Sequence, residues 1–465
     1  MAPDRSSRSR SRSVGNEERL VALGDAIDRR SGVARKTKPS VSARRSGPKK
    51  RRSRNQRLIR IALVMAVIGV GFVGGGYFYA QYRFSKVTNV KCGEACLPTL
   101  PGQPFNILSI GSDSRAGLTG AMAAQTGAGG VSGQRSDVIK IIHVDPSVPS
   151  ISVISIPRDT LVSLQPSIAS YFGSKYQRIN VNLVAGASMT AGPQVLAKTI
   201  TANFGIPINH IVEVSFGGLA NSVIALGGVY MRFPYTSADT YSGLRINTPG
   251  CQHLTGMQGL AVARSRHFYY SPHNLTWTRA DNVMVIHGRT PPGWIYDGTS
   301  DYGRIKRQDA FLRAMMLVAK KQYNPFTINK VVSQLPAGVQ LDSSFSLNTL
   351  IGLAVKFHSY DPSQMQTYTL PVVSPGANPY GSVLVVDQLA AQQLFVKIFG
   401  SSLVTETTPA PNSKLQSVQP PYVPVPSTTS TTTTLHKHHG TTTTTTPPYN
   451  PYYFNPVPCV PGASK

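Results

Sequence analysis

The sequence predicts an α/β domain, a single α-β-α unit with a central, mainly antiparallel or mixed sheet and flanking helices, preceded by one transmembrane helix. Three observations carry this. Runs such as SISVISIP (150–157) are rich in Ile and Val and short enough for strands. Segments such as RIKRQDAFLRAMMLVAKKQ (304–322) repeat apolar residues at helical spacing. Between a basic N-terminus and these elements lie 20 uncharged residues, IALVMAVIGVGFVGGGYFYA (61–80).

Residues 1–60 hold 19 Lys and Arg against 5 Asp and Glu, about half of the chain's net charge of +27. Without apolar periodicity, this composition predicts a disordered tail. The run 61–80, at about 1.5 Å per helical residue, is long enough for roughly 30 Å of hydrocarbon. Arg51, Arg52, Arg54, Arg57 and Arg60 flank one side and Tyr77-Phe78-Tyr79 the other. The positive-inside rule then places the N-terminus in the cytoplasm, with a linker (81–103) and the folded domain (104–400) outside. The apolar run and its leader are too long for a cleaved signal peptide.

FNILSIG (105–111), DVIKIIHVD (137–145) and SISVISIP read as strands, and the short DPSVPS link makes the last two antiparallel neighbours. Helices are expected over 192–205, 215–228, 304–322, 346–358 and 388–399, with strands at 366–372 and 382–387. Residues 401–465, rich in Pro and Thr, bury no core by composition and read as a disordered spacer or stalk. Cys92 and Cys96 sit where oxidation is permitted and are spaced to close a small loop. Cys251 reads as a small core residue and Cys459 as an unpaired thiol in the tail.

If the three strands run up, down and up, one sheet edge gathers Asp113 and Arg115, then Arg135 and Asp137, then Arg158 and Asp159. A surface salt-bridge network is the plain alternative. Two further arginine groups favour a site. Arg264 and Arg266 alternate by two, so they point one way on an extended segment. Arg304 and Gln308, four apart, share a helix face near an N-terminus that favours anions. Arginine forks match phosphate oxygens, and carboxylates among them suit a divalent cation. The pattern predicts a pyrophosphate site with Mg²⁺ (or Mn²⁺). His143, His210 and His267 read as core or surface histidines.

The ordered set NILSIGSDSR, RSDVIKIIHVD, SISVISIPRDTLV, RINVNLVAG, INHIVEVSFGGLANSVIALGGVYM, LTGMQGLAVARSRHF and DYGRIKRQDAFLRAMM resembles the LytR-CpsA-Psr family of membrane-anchored cell-wall glycopolymer ligases. The resemblance implies transfer of a glycopolymer from a polyprenyl-pyrophosphate carrier onto a peptidoglycan hydroxyl. It implies metal binding by Asp113 and Asp137, and pyrophosphate binding by Arg135, Arg158, Arg264, Arg266, Arg304 and Gln308. Arg158, Arg264, Arg304 and Asp137 would carry the catalysis, with Asp159 and Arg115 in support. Helices around 183–228 would help form an apolar pocket for the lipid. The aromatic stretch between Arg266 and Asp301 is long for the family and reads equally as a sugar or lipid lid or as a surface insertion. A polyprenyl-pyrophosphate hydrolase is the nearest alternative function. A nucleic-acid-binding regulator is disfavoured, because the basic tail and the folded arginines fall on opposite sides of the membrane and no groove-reading motif occurs.

Overall fold

The structure is a computed structural model that describes residues 54–113, 136–183, 192–321, 338–400, 416–417 and 454–460. The chain divides into two units, Met1–Gly71 and Phe72–Lys465. Helix α1 (Arg54–Phe84) contains the apolar run 61–80, although several of its side chains lie outside the description. Among the described residues no helix is long and apolar enough to cross a membrane. The N-terminal tail up to residue 53 also lies outside the described residues.

The second unit is built on a seven-stranded mixed sheet in the order β1 (Thr88–Val90), β14 (Val339–Asp342), β7 (His210–Ser215), β2 (Phe105–Ser112), β3 (Ser136–Asp145), β4 (Ser150–Ile156), β15 (Gln366–Thr369). The three strands expected from the sequence are its centre. β3 pairs antiparallel with both β2 and β4, so the up-down-up order holds, while β7 and β15 join them in parallel. The register shifts at Gly111/Ser112. A Cβ at Gly111 would stand 2.8 Å from Val138 Cβ, so this bulge requires a residue without one.

One face of the sheet packs on α2 (Pro166–Phe172), α3 (Pro193–Phe204) and α9 (Gln388–Phe399), through Ile168, Leu196, Ile200 and Phe395 against Leu108, Ile139, Ile141 and Ile154. On the other face lie α4 (Phe216–Ala225), α5 (Gly256–Arg264) and the long α7 (Ser300–Lys321), with α8 (Leu347–Lys356) beside the β1–β14 edge. A second, four-stranded sheet runs β10 (Leu244–Ile246), β9 (Thr236–Asp239), β12 (Tyr269–Ser271), β13 (Ile295–Tyr296), and α6 (Arg279–Ile286) lies between its last two strands in sequence. Two further small sheets, β5 (Leu161–Ser163) with β6 (Tyr176–Arg178) and β16 (Val372–Ser374) with β17 (Val385–Val386) and β18 (Gln416–Ser417), pack on each other through Leu161, Val373 and Val385.

The remaining three-stranded sheet, β11 (Gly250–Leu254), β8 (Val229–Phe233) and β19 (Val457–Pro458), corrects two expectations. Cys251 and Cys459 are not a core thiol and an unpaired tail thiol; they are bonded to each other, as Cys92 is to Cys96. Phe454 to Val460 also depart from the disordered tail at that point. Phe454 is buried against Phe268 and Tyr270, and β19 pairs with β8. Composition over the Pro/Thr tract hides this, because a few apolar residues and one cysteine suffice to dock a strand.

Candidate functional site

The rim read from the sequence forms where the sheet ends. Asp113 follows β2, Asp137 is the second residue of β3, and Arg158 lies just beyond β4. Arg158 Nη1 donates to Asp137 Oδ1 at 2.6 Å. Burial alone would lower the Arg158 pKa, but Asp137, Asp159 and Asp301 outweigh it and raise it. Asp159 lies 3.7 Å from Arg158 Nε and 3.6 Å from Arg178 Nη1, so it bridges two guanidinium groups. Arg115 and Arg135 lie outside the described residues.

Helix α7 delivers the second group. Asp301, in its first turn, forms ion pairs with Arg304 Nη2 at 2.7 Å and with Arg266 Nε at 3.2 Å. Arg304 is only 3% exposed and also donates to the Asp137 carbonyl at 2.7 Å. Its burial lowers its pKa, against the pull of Asp301 and Asp137. One turn on, Gln308 Nε2 donates to the Ala263 carbonyl at 2.9 Å, fixing α7 to the end of α5. Arg264, the last residue of α5, stacks over the Phe216 ring at 4.8 Å. Arg158 Nε and Arg304 Nε are buried and make no hydrogen bond to the described residues.

Asp113, Asp137, Arg264, Arg266, Arg304 and Gln308 therefore share the lining of one cavity of about 540 Å³. Its interior is apolar and lies between the sheet and α4, α5 and α7, with Val138, Val214, Leu219, Leu260, Phe311 and Met315 in its walls. Of the helices expected around 183–228 to form such a pocket, α4 lines this cavity; α3 packs on the opposite face of the sheet. Lys140 lines it too, its Nζ donating to Asp309 Oδ1 and Ser155 Oγ, each at 2.6 Å.

Asp113 and Asp137 offer oxygen donors only, and among the described residues no group of three or more His, Cys, Asp or Glu gathers. That donor set fits a hard divalent cation that takes its other oxygens from phosphate and water. Sequence reasoning left Asp301, Arg178 and the Lys140–Asp309 pair without roles. Asp301 carried a signal, since it stands three residues before Arg304 on one helix; a single Lys inside DVIKIIHVD was the signal for Lys140. Asp159 stands beside Arg158 in sequence, but its contact with Arg178 has no local signature.

A mixed sheet sandwiched by helices, with arginines and two carboxylates lining an apolar cavity, defines the class: an α/β protein with a charged, arginine-rich cleft. The chain belongs to the LytR_cpsA_psr family, whose model matches residues 81–271 and 295–398 and passes over the segment between them. It is 28% identical over 294 residues to the probable cell wall biosynthesis protein LcpB of Corynebacterium glutamicum, across 62% of this chain and 60% of that protein. It is 29% identical over 224 residues to the polyisoprenyl-teichoic acid–peptidoglycan teichoic acid transferase TagU of Halalkalibacterium halodurans, across 45% of this chain and 64% of that protein. The chain thus spans less than two thirds of the length of these relatives. A solved LytR-Csp2A-Psr enzyme from Actinomyces oris aligns at 20% identity with a TM-score of 0.48, covering 69% of this chain and 97% of that one.

Proposed function

We propose that this protein is a membrane-anchored phosphotransferase that moves a glycopolymer from a polyprenyl-pyrophosphate carrier onto a peptidoglycan hydroxyl. The observation that carries this reading is the placement of Arg264, Arg266, Arg304, Asp113 and Asp137 at the mouth of an apolar cavity, with Arg158 bonded to Asp137. A lipid pyrophosphate has the same two halves. The name of the transferase relative supports the reaction class.

The cavity takes the prenyl chain near the pyrophosphate, and Arg158, Arg264, Arg266 and Arg304 bind the non-bridging oxygens. The acceptor hydroxyl oxygen bonds to the glycopolymer-side phosphorus, and the bond from that phosphorus to the bridging oxygen breaks, so polyprenyl phosphate departs. Fixed positive charge lowers this barrier, because phosphoryl transfer is limited by charge on the phosphoryl oxygens and by in-line alignment. Asp113 and Asp137 would hold Mg²⁺ or Mn²⁺, which when bound adds charge against the same oxygens. The hydroxyl proton leaves to a base that stays unassigned, since a carboxylate already bonded to Arg158 is a weak one.

The apolar run 61–80, with five arginines on its N-terminal side, supports anchoring in the membrane that holds the lipid donor, with the catalytic unit outside the cell. The deciding experiment incubates the full-length protein with Mg²⁺, a lipid-pyrophosphate glycopolymer and peptidoglycan fragments. A ligated phosphodiester product is expected. Free glycan phosphate with no ligated product would replace transfer by hydrolysis.

A further inference from the structure

Strand β9 ends at Asp239, which is 1% exposed. Its Oδ1 accepts from the backbone N–H groups of Tyr241 (2.9 Å) and Ser242 (3.0 Å). Its Oδ2 accepts from the Ser265 hydroxyl (2.7 Å) and the His267 N–H (2.9 Å). One buried carboxylate thus ties the loop after β9 to the loop after α5, and Ser265 stands between Arg264 and Arg266.

Those loops present exposed rings. Tyr241 is 55% exposed and Tyr296, at the end of β13, 37% exposed. The His267 ring, which the sequence left as a core or surface histidine, lies 4.7 Å from Tyr241 and 6.2 Å from Tyr296, its plane 16° from that of Tyr296. Tyr241 and His267 line the same cavity mouth as Arg264 and Arg266.

The segment that the family match passes over braces this row of rings. Trp277 and Trp294 meet edge to face at 4.7 Å and are buried with Tyr269 and Val285. Trp277 Nε1 and the Thr240 hydroxyl both donate to Asn282 Oδ1, at 2.8 and 2.9 Å, and the Ser271 hydroxyl donates to the Gly293 carbonyl at 2.8 Å. A buried aromatic core therefore supports a sheet whose outer rings remain in solvent beside the arginines. Exposed aromatics grouped at a site edge signal a ligand with an apolar face and a polar rim.

We propose that Tyr241, His267 and Tyr296 form a saccharide-binding platform at the edge of the arginine clamp. A pyranose fits this chemistry: its C–H face stacks on a ring, and its hydroxyls reach the phenol and imidazole tips. The inference deepens the phosphotransferase reading and takes its location from it. Both reactants of that reading carry sugars, the lipid-linked donor and the peptidoglycan glycan strand, and the platform suits either.

The test titrates the full-length protein in detergent, by calorimetry, with three probes: soluble peptidoglycan glycan strands, polyprenyl pyrophosphate bearing one sugar, and bare polyprenyl pyrophosphate. Tyr241→Ala/Tyr296→Ala should weaken a sugar-bearing probe roughly tenfold and leave the bare lipid unchanged, whereas Tyr241→Phe/Tyr296→Phe, which keeps both rings and loses only the phenol hydroxyls, should lose clearly less than the alanine variant. Loss confined to glycan strands assigns the platform to the acceptor; loss confined to the sugar-bearing lipid assigns it to the donor. Wild-type affinity for both sugar probes in the folded alanine variant, or no sugar contribution to binding in the wild type, overturns the platform. Failure of the bare lipid to bind the wild type would instead remove the clamp reading, while the glycan strands still decide the platform.

Discussion

Arg158 and Asp137 meet at 2.6 Å across the end of the central sheet, joining the exit of β4 to the entry of β3. The pair has a second partner on either side: Asp159 near Arg158 Nε, and Arg304 on the Asp137 carbonyl. Arg158 is therefore held by carboxylates with one edge of its fork still without a hydrogen bond. Arg158→Ala should lower turnover about 10²- to 10³-fold, the usual cost of one fixed charge donor, with little change in melting temperature. Arg158→Lys should recover only part, because an ammonium lacks the planar fork. An Arg158→Ala enzyme with full ligation activity would take Arg158 out of the site.

The central strands were legible because β-branched runs with a tight DPSVPS turn leave few other arrangements, and strand direction then follows. The candidate rim came with them, since charged residues at strand ends inherit the strands' order. What stayed hidden was set by contacts distant in sequence. Nothing near Asp239 announces that it will accept from His267, nor does any pattern join Cys251 to Cys459. The Trp277–Trp294 core hid differently: its aromatics were visible, but whether they faced a ligand or each other depended on how α6 folds back.

Lys140 and Asp309 form an ion pair at 2.6 Å, with both side chains almost entirely buried. Such a pair gains little over apolar packing, yet removing one member strands the other charge. Asp309→Ala should cost about 3–5 kcal/mol in urea unfolding. Adding Lys140→Met to it should recover most of that loss. Equal stability of the single and double variants would show that Lys140 finds another counter-charge.

The pH dependence of stability has a traceable contributor in Asp342. Burial would raise its pKa, but His210, the Ser344 hydroxyl and the Ile211 N–H together bring it below the ordinary 3.8. A depressed carboxyl contributes stability above its unfolded pKa and loses it as pH falls through the folded one. Asp342→Asn should therefore melt below the wild type at neutral pH, and the gap should close on acidification below about pH 4. A gap that persists under acid would assign the effect to packing.

Cys459→Ser should destabilise the folded unit by about 2–5 kcal/mol, as the loss of a native disulfide does in small secreted domains. Denaturation of both proteins with and without reductant checks this, since under reductant, which opens Cys92–Cys96 in both, the wild type should match the variant. The wild type holding its midpoint after confirmed reduction would mean that Phe454 and β19 dock without the covalent bond.

That docking changes what the Pro/Thr-rich stretch is. After α9 the chain pairs with the fold again at β18 (Gln416–Ser417), and beyond it is joined back at Phe454 to Val460 by β19 and by the bond from Cys459 to Cys251. Residues 418–453 are therefore joined to the folded unit at both of their ends rather than at one. A protease that cuts there severs the backbone without releasing its last strand. The nicked protein would run as one band until reductant is added, and as two thereafter.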